Sequence, residues 1–188
     1  MFAIIFIACT TLLTSCKKDE TPPILSVPFV DVGRIVTFIN FGAPHPVDSS
    51  RDNPNYDVHV DGPDVKVFSA SEGIIERINW QEEDSDYELE VQPYKNSIYK
   101  LIYDHVRNLP PNIVKGAKLY PGDELGTVGG SGGVGGHVEL QINSNSDRNV
   151  ISHCPKQFGT EAFNNAMEEA CNKNGLYPDV CLKETAIP

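Results

Sequence analysis

Six of the eight residues 129–136 are glycine, and directly after them stands His137-Val138-Glu139-Leu140-Gln141-Ile142. So much glycine gives the backbone a freedom that neither a helix nor a strand interior tolerates well, so residues 129–136 read as a loop. The strict polar–apolar alternation that follows has a period of two, which is the period of a strand. Val138, Leu140 and Ile142 must then share one face, and His137, Glu139 and Gln141 the other. Burying the apolar face leaves an imidazole and a carboxylate two residues apart on a polar wall.

The rest of the chain repeats this grammar. Strand-like runs at residues 34–40, 65–70, 73–80, 87–93, 97–106, 125–128 and 137–143 alternate with turn signals. One stretch carries a helical pattern. Thr160 can cap it, Phe163, Ala166, Met167, Ala170 and Cys171 form an apolar stripe, and Asn174-Gly175 ends it. The expected fold class is therefore mainly β, a small antiparallel sheet or sandwich core with one C-terminal helix packed against it.

The first residues point outside the cytoplasm. The apolar run at residues 2–13 is shorter than the about twenty residues a spanning helix needs. Small residues and a cysteine follow it, as in an export signal. Leu13-Thr14-Ser15-Cys16 resembles a bacterial lipobox, which would make Cys16 the lipidated first residue of the mature chain. Lys17-Lys18-Asp19-Glu20 resembles the export signal of bacterial surface lipoproteins. The expected organisation is a signal peptide at residues 1–15, a proline-containing tether at 16–30, a β domain at 31–150, and a helical, cysteine-containing extension at 151–188. Removing the signal leaves 173 of the 188 residues, enough for one domain with a sizeable core. A formal charge of −11 argues against nucleic acid and against polybasic membrane attachment. Cys154, Cys171 and Cys181 would meet an oxidising compartment, so one disulfide and one free thiol are expected. All three pairings are open, with Cys171–Cys181 slightly favoured because it closes a short loop around Gly175 and Pro178.

Several segments fall in a distinctive order: Gly42-Ala43-Pro44-His45-Pro46, Asn53-Pro54-Asn55-Tyr56-Asp57, Val67-Phe68-Ser69-Ala70 with Gly73-Ile74-Ile75, Tyr103-Asp104-His105, Gly122-Asp123-Glu124-Leu125-Gly126, and Gly136-His137-Val138-Glu139. Over residues 41–143 this series resembles the lysostaphin/LytM-type zinc metalloendopeptidases, the duplicated-hybrid-motif enzymes that cut peptide cross-links in bacterial cell walls. The resemblance implies an antiparallel sheet with a groove across one face. It also implies a zinc site built from His-x-x-x-Asp and a late His-x-His, with a further histidine after the Tyr-x-His segment. Mapped residue by residue, Asp57 matches the aspartate ligand, but Asn53 stands for its histidine. His137 matches the first member of the late pair, and Glu139 stands for the second, a ligand in the family. His105 matches the additional catalytic histidine.

Two of three zinc ligands are thus replaced while both assisting histidines remain. A catalytic zinc needs three firm donors, mostly imidazole, and Asn53 brings only a neutral amide oxygen. Asn53, Asp57 and Glu139 describe a harder oxygen site or no site, so zinc is expected to be weak or absent. An alternative alignment uses Asp57, His59 and Asp61, which alternate along one strand, yet it restores no family-type pair. The plainer reading is a polar face on an exposed strand. His45 and His153 read as loop histidines, and the glycine run lacks the Lys-Ser or Lys-Thr of a phosphate loop.

The sequence predicts a cell-envelope lipoprotein, lipid-anchored at the outer membrane on its periplasmic side or at the cell surface. Its LytM-type domain is expected to be catalytically inactive and to bind peptidoglycan peptide or an envelope protein. Two other readings stay open: a zinc endopeptidase with a non-standard metal site, and a surface scaffold for protein contacts.

Overall fold

The computed structural model describes residues 18–130, 135–146 and 149–186. The signal peptide, Cys16 and four residues of the glycine run lie outside the described residues. Among the described residues, eleven strands and one α-helix are formed: β1 (Ile35–Ile39), β2 (Asn55–Val60), β3 (Lys66–Phe68), β4 (Gly73–Gln81), β5 (Asp86–Gln92), β6 (Tyr99–Arg107), β7 (Lys118–Leu119), β8 (Glu124–Val128), β9 (His137–Ser146), β10 (Asn149–His153), α1 (Glu161–Asn174) and β11 (Thr185–Ala186). The main path of the sheet runs β1-β2-β9-β6-β5-β4-β7, and every pairing is antiparallel.

The alternation in β9 does what its period requires. Val138, Leu140 and Ile142 are buried, beside Leu89, Leu101, Tyr103, Tyr56 and Val58 from neighbouring strands. Each such aliphatic side chain contributes about 1.5–3 kcal/mol on burial. α1 covers part of this core with Phe163, Met167, Ala170 and Cys171, and the Thr160 hydroxyl caps it by accepting from the Phe163 N–H at 3.3 Å. The seven expected strands all form, and so does the helix.

β2 departs from the expectation of an exposed strand. It lies between β1 and β9, and Tyr56 and Val58 are completely buried. Its sequence Tyr56-Asp57-Val58-His59 alternates like an edge strand because one face meets the core and the other lines a recessed groove. Asp61 falls beyond its end and pairs with Arg34, so it does not join Asp57 and His59.

Residues expected to form a tether are packed onto the domain from residue 18 onward. Leu25, Phe29 and Val30 are buried. The Asp19 N–H donates to the Asn96 carbonyl at 2.8 Å, the Leu25 N–H to Phe158 at 2.9 Å, and the Phe68 N–H to Phe29 at 2.8 Å. The prolines mark an extended path here, and three apolar side chains along it supply the anchors. The C-terminal extension is likewise integral: β10 pairs with β9, and the tail returns as β11 against β10.

That return decides the disulfide. Phe41 exchanges main-chain hydrogen bonds with Val180 and Leu182, which carries Cys181 to Cys154 at a Cα–Cα separation of 6.0 Å. The bond is Cys154–Cys181, not the favoured Cys171–Cys181. Cys171 faces the core from α1 as a free thiol, accepting from the Asn40 amide nitrogen at 3.1 Å.

Candidate functional site

On the polar face of the sheet, Asn55, Asp57 and His59 of β2 stand directly across from Gln141, Glu139 and His137 of β9. β6 continues the row, with Asp104 opposite Glu139. The structure therefore brings together Asp57, His105, His137 and Glu139, and adds His59, Asn55, Asp86 and Asp104.

His105 reaches the groove through a break in the strand. Pairing of β6 with β9 ends at Asp104, and pairing with β8 begins at Val106. Between them His105 takes φ 59°, a left-handed conformation that costs a non-glycine residue about 1–3 kcal/mol. That kink lets Asp104 and His105, adjacent in sequence, point into the same space; with Asp86 they offer donor atoms within 4.8 Å of one another. Asp86 is fully buried, and its Oδ2 lies 3.0 Å from His105 Nδ1 and accepts the Gly130 N–H at 2.7 Å. A carboxylate on Nδ1 fixes the ring and leaves Nε2 as the atom that can act in the groove.

The glycine run serves His137. A Cβ on Gly130, which has φ 71°, would lie 2.1 Å from His137 Nδ1, and one on Gly135 would lie 1.6 Å from the Val60 carbonyl oxygen. Only glycine lets the loop close over the imidazole at these two points. The three imidazoles lie together: His59 stacks on His137 with ring centroids 5.1 Å apart, and His105 meets His137 at a tilt of 50° with centroids 4.1 Å apart.

The carboxylates are held under stress. Asp57 is 4% exposed, its Oδ1 accepts no hydrogen bond, and His59 Nε2 stands 3.6 Å away from that oxygen. Burial pushes its pKa up to about 7, partly offset by His105. Burial, then the neighbouring Asp57 and Asp104, hold Glu139 well above the ordinary carboxylate range, while the Asn55 amide donates to its Oε2. Burial lowers His137 to about 4, helped by His105 and His59, and it also lowers His59. Near neutral pH, His59 and His137 are neutral imidazoles beside two carboxyls that resist sharing two charges.

Asn53 is absent from this cluster of functional groups. It is 1% exposed, and its amide nitrogen donates to the carbonyls of Ile39 (3.4 Å), Asn40 (3.2 Å) and Asn55 (3.1 Å). The side chain clamps the turn between β1 and β2. A zinc ion at the positions implied by the resemblance would need it as a donor, and the set fits zinc poorly: beside two carboxylates Asn53 offers only a neutral amide oxygen, in a side chain whose nitrogen is held by the main chain.

Sequence reasoning placed Asp57, His105, His137 and Glu139 and missed Asp86 and Asp104. The signal for Asp86 was within reach, because extending the alternation Glu88, Glu90 two residues back reaches it. Its aim at His105 depends on the kink at a residue with no glycine signature.

By sequence, the chain matches no family description and no curated relative. By structure, it is similar to the antimicrobial peptidase lysostaphin from Staphylococcus simulans, with 15% identity, 77% of this chain and 56% of that one covered, and a TM-score of 0.57. A solution structure of lysostaphin gives 14% identity, 80% and 59% coverage, and a TM-score of 0.51. Csd3 from Helicobacter pylori gives 22% identity, 65% and 30% coverage, and a TM-score of 0.49. The chain thus spans 30–59% of the length of these solved proteins. Antiparallel strands, the groove across them and the lysostaphin match agree: this chain has the LytM/lysostaphin-type peptidase fold.

Proposed function

We propose that the protein is a lipid-anchored cell-envelope protein whose groove binds an extended peptide of the cell wall, or a segment of an envelope protein, without cleaving it. The carrying observation is Asn53, whose amide nitrogen is committed to three main-chain carbonyls where a zinc-binding side chain would be required. The peptidase fold supplies the groove, and lysostaphin is itself described as a peptidase. Cys16 would carry the lipid, and export would account for the Cys154–Cys181 bond.

The test is to incubate the purified protein with soluble peptidoglycan peptides, following both thermal stability and peptide mass. The reading expects a rise in melting temperature that saturates with peptide and no new peptide fragments. Fragments that appear with wild-type protein and vanish for His105→Ala would establish hydrolysis instead. No thermal shift with any wall peptide would favour a scaffold for protein contacts.

A further inference from the structure

We infer that the groove holds a divalent transition-metal ion displaced from the family's position, on His105, His137 and Glu139. The inference rests on the non-hydrolytic reading, and gives that groove a cation as an anchor. One nitrogen from each imidazole and one Glu139 oxygen lie within 4.8 Å of one another. Donors about 2 Å from zinc stand roughly 3.3 Å apart, so side-chain adjustments of the order of an ångström close the trio. Two imidazoles and one carboxylate suit zinc or iron(II), whereas calcium and magnesium prefer all-oxygen shells.

Three further observations converge on the same point. Asp86 holds His105 by Nδ1 at 3.0 Å, the arrangement that orients a metal-binding histidine through its free nitrogen. The backbone at His105 is held in a left-handed conformation that aims the ring inward. Asp57, paired across the strands with Glu139, carries a buried Oδ1 that accepts no hydrogen bond, with His59 Nε2 3.6 Å away, so a polar oxygen beside the trio is left unsatisfied. Asn53 is excluded, and Asp57 is a neighbour of the ion, not a ligand. With both imidazoles bound to the ion, neither is free to serve as a general acid or base.

The experiment is metal uptake by the full chain, stripped with chelator and titrated with zinc, then with cobalt(II) for its visible spectrum. Wild-type protein should take up one ion per chain. His105→Ala and His137→Ala should lose stoichiometric uptake, Asp57→Asn should retain it, and Asp86→Asn should weaken it about 10–100-fold. Circular dichroism checks that each variant is folded, and imidazole nitrogen NMR of wild-type protein supplies a readout that needs no variant: both His105 and His137 resonances should move with zinc. Absence of uptake by wild type overturns the inference while leaving peptide binding untouched. Uptake lost in Asp57→Asn but kept in His105→Ala overturns it in favour of the family position, and so does zinc that moves neither imidazole. Cleavage of wall peptides would sink the non-hydrolytic reading and leave the metal's placement to the uptake results.

Discussion

The two ends of the groove carry the same kind of buried polar side chain put to opposite uses. At the β1–β2 turn, Asn53 turns inward and donates to three carbonyls of the fold. At the β5–β6 end, Asp86 turns toward the groove and fixes an imidazole. One end has become architecture, and the other keeps an oriented, chemically usable side chain at the cost of a strained backbone. Within one sheet, a buried polar side chain can thus either satisfy main-chain groups or orient a neighbouring side chain.

The largest expected effect breaks the Asn53 end. Asn53→Ala removes three hydrogen bonds to main-chain carbonyls from a buried site and should cost about 4 kcal/mol, measured by urea denaturation. A loss below about 1 kcal/mol would mean that the clamp is dispensable.

Asp57, in the middle, gives the next effect, read as a dependence of stability on pH. Its folded pKa of about 7 lies above the unfolded value of 3.8, so the native state prefers the protonated form. The stability it contributes is present below pH 3.8 and is lost as pH rises through 7. Asp57→Asn should therefore raise stability at pH 8 and change it little near pH 4. His137 has the opposite sign: its folded value of about 4 lies below 6.5, so its contribution is full above pH 6.5 and is lost as pH falls through 4. Taken as the difference between the Asp57→Asn and Asp57→Asn/His137→Gln variants, the His137 contribution should raise melting temperature from pH 4 to 6.5. A flat profile over that range would contradict the burial of this imidazole.

At the other end, Asp86→Asn should cost about 2 kcal/mol, because the carboxylate accepts from both His105 and Gly130. It should also change the tautomer of His105 in nitrogen NMR. An unchanged tautomer would remove the contrast between the two ends. Thr160→Ala, far along the chain, should cost about 1 kcal/mol by uncapping α1 while leaving the groove imidazole resonances in place.

These contrasts also explain what was legible in the sequence. Local period located β4, β5, β6, β9 and α1, since each buries one face of a regular element. The short β7, β10 and β11 were not found, because two to five residues of mixed polarity carry no period of their own and form only against a partner strand. His105, His137, Asp57 and Glu139 could be picked out from residue order. The role of Asn53 could not, since its partners are main-chain carbonyls that look alike in any sequence. The disulfide escaped for a related reason: it depends on the tail crossing Phe41, a contact between segments about 140 residues apart.

The packing of residues from 18 onward sets a length. With the lipid on Cys16 that we propose, only three peptide steps separate the anchor from Asp19, which is fastened to the domain, at most about 11 Å of chain. The Asp19 strand pairing with Ser97 and Ile98 would then sit almost against the headgroups. Anchored in that way, the protein would not search the wall. Whatever enters its groove would have to come to the membrane, and a spacer inserted after residue 17 would extend its working radius without touching the groove.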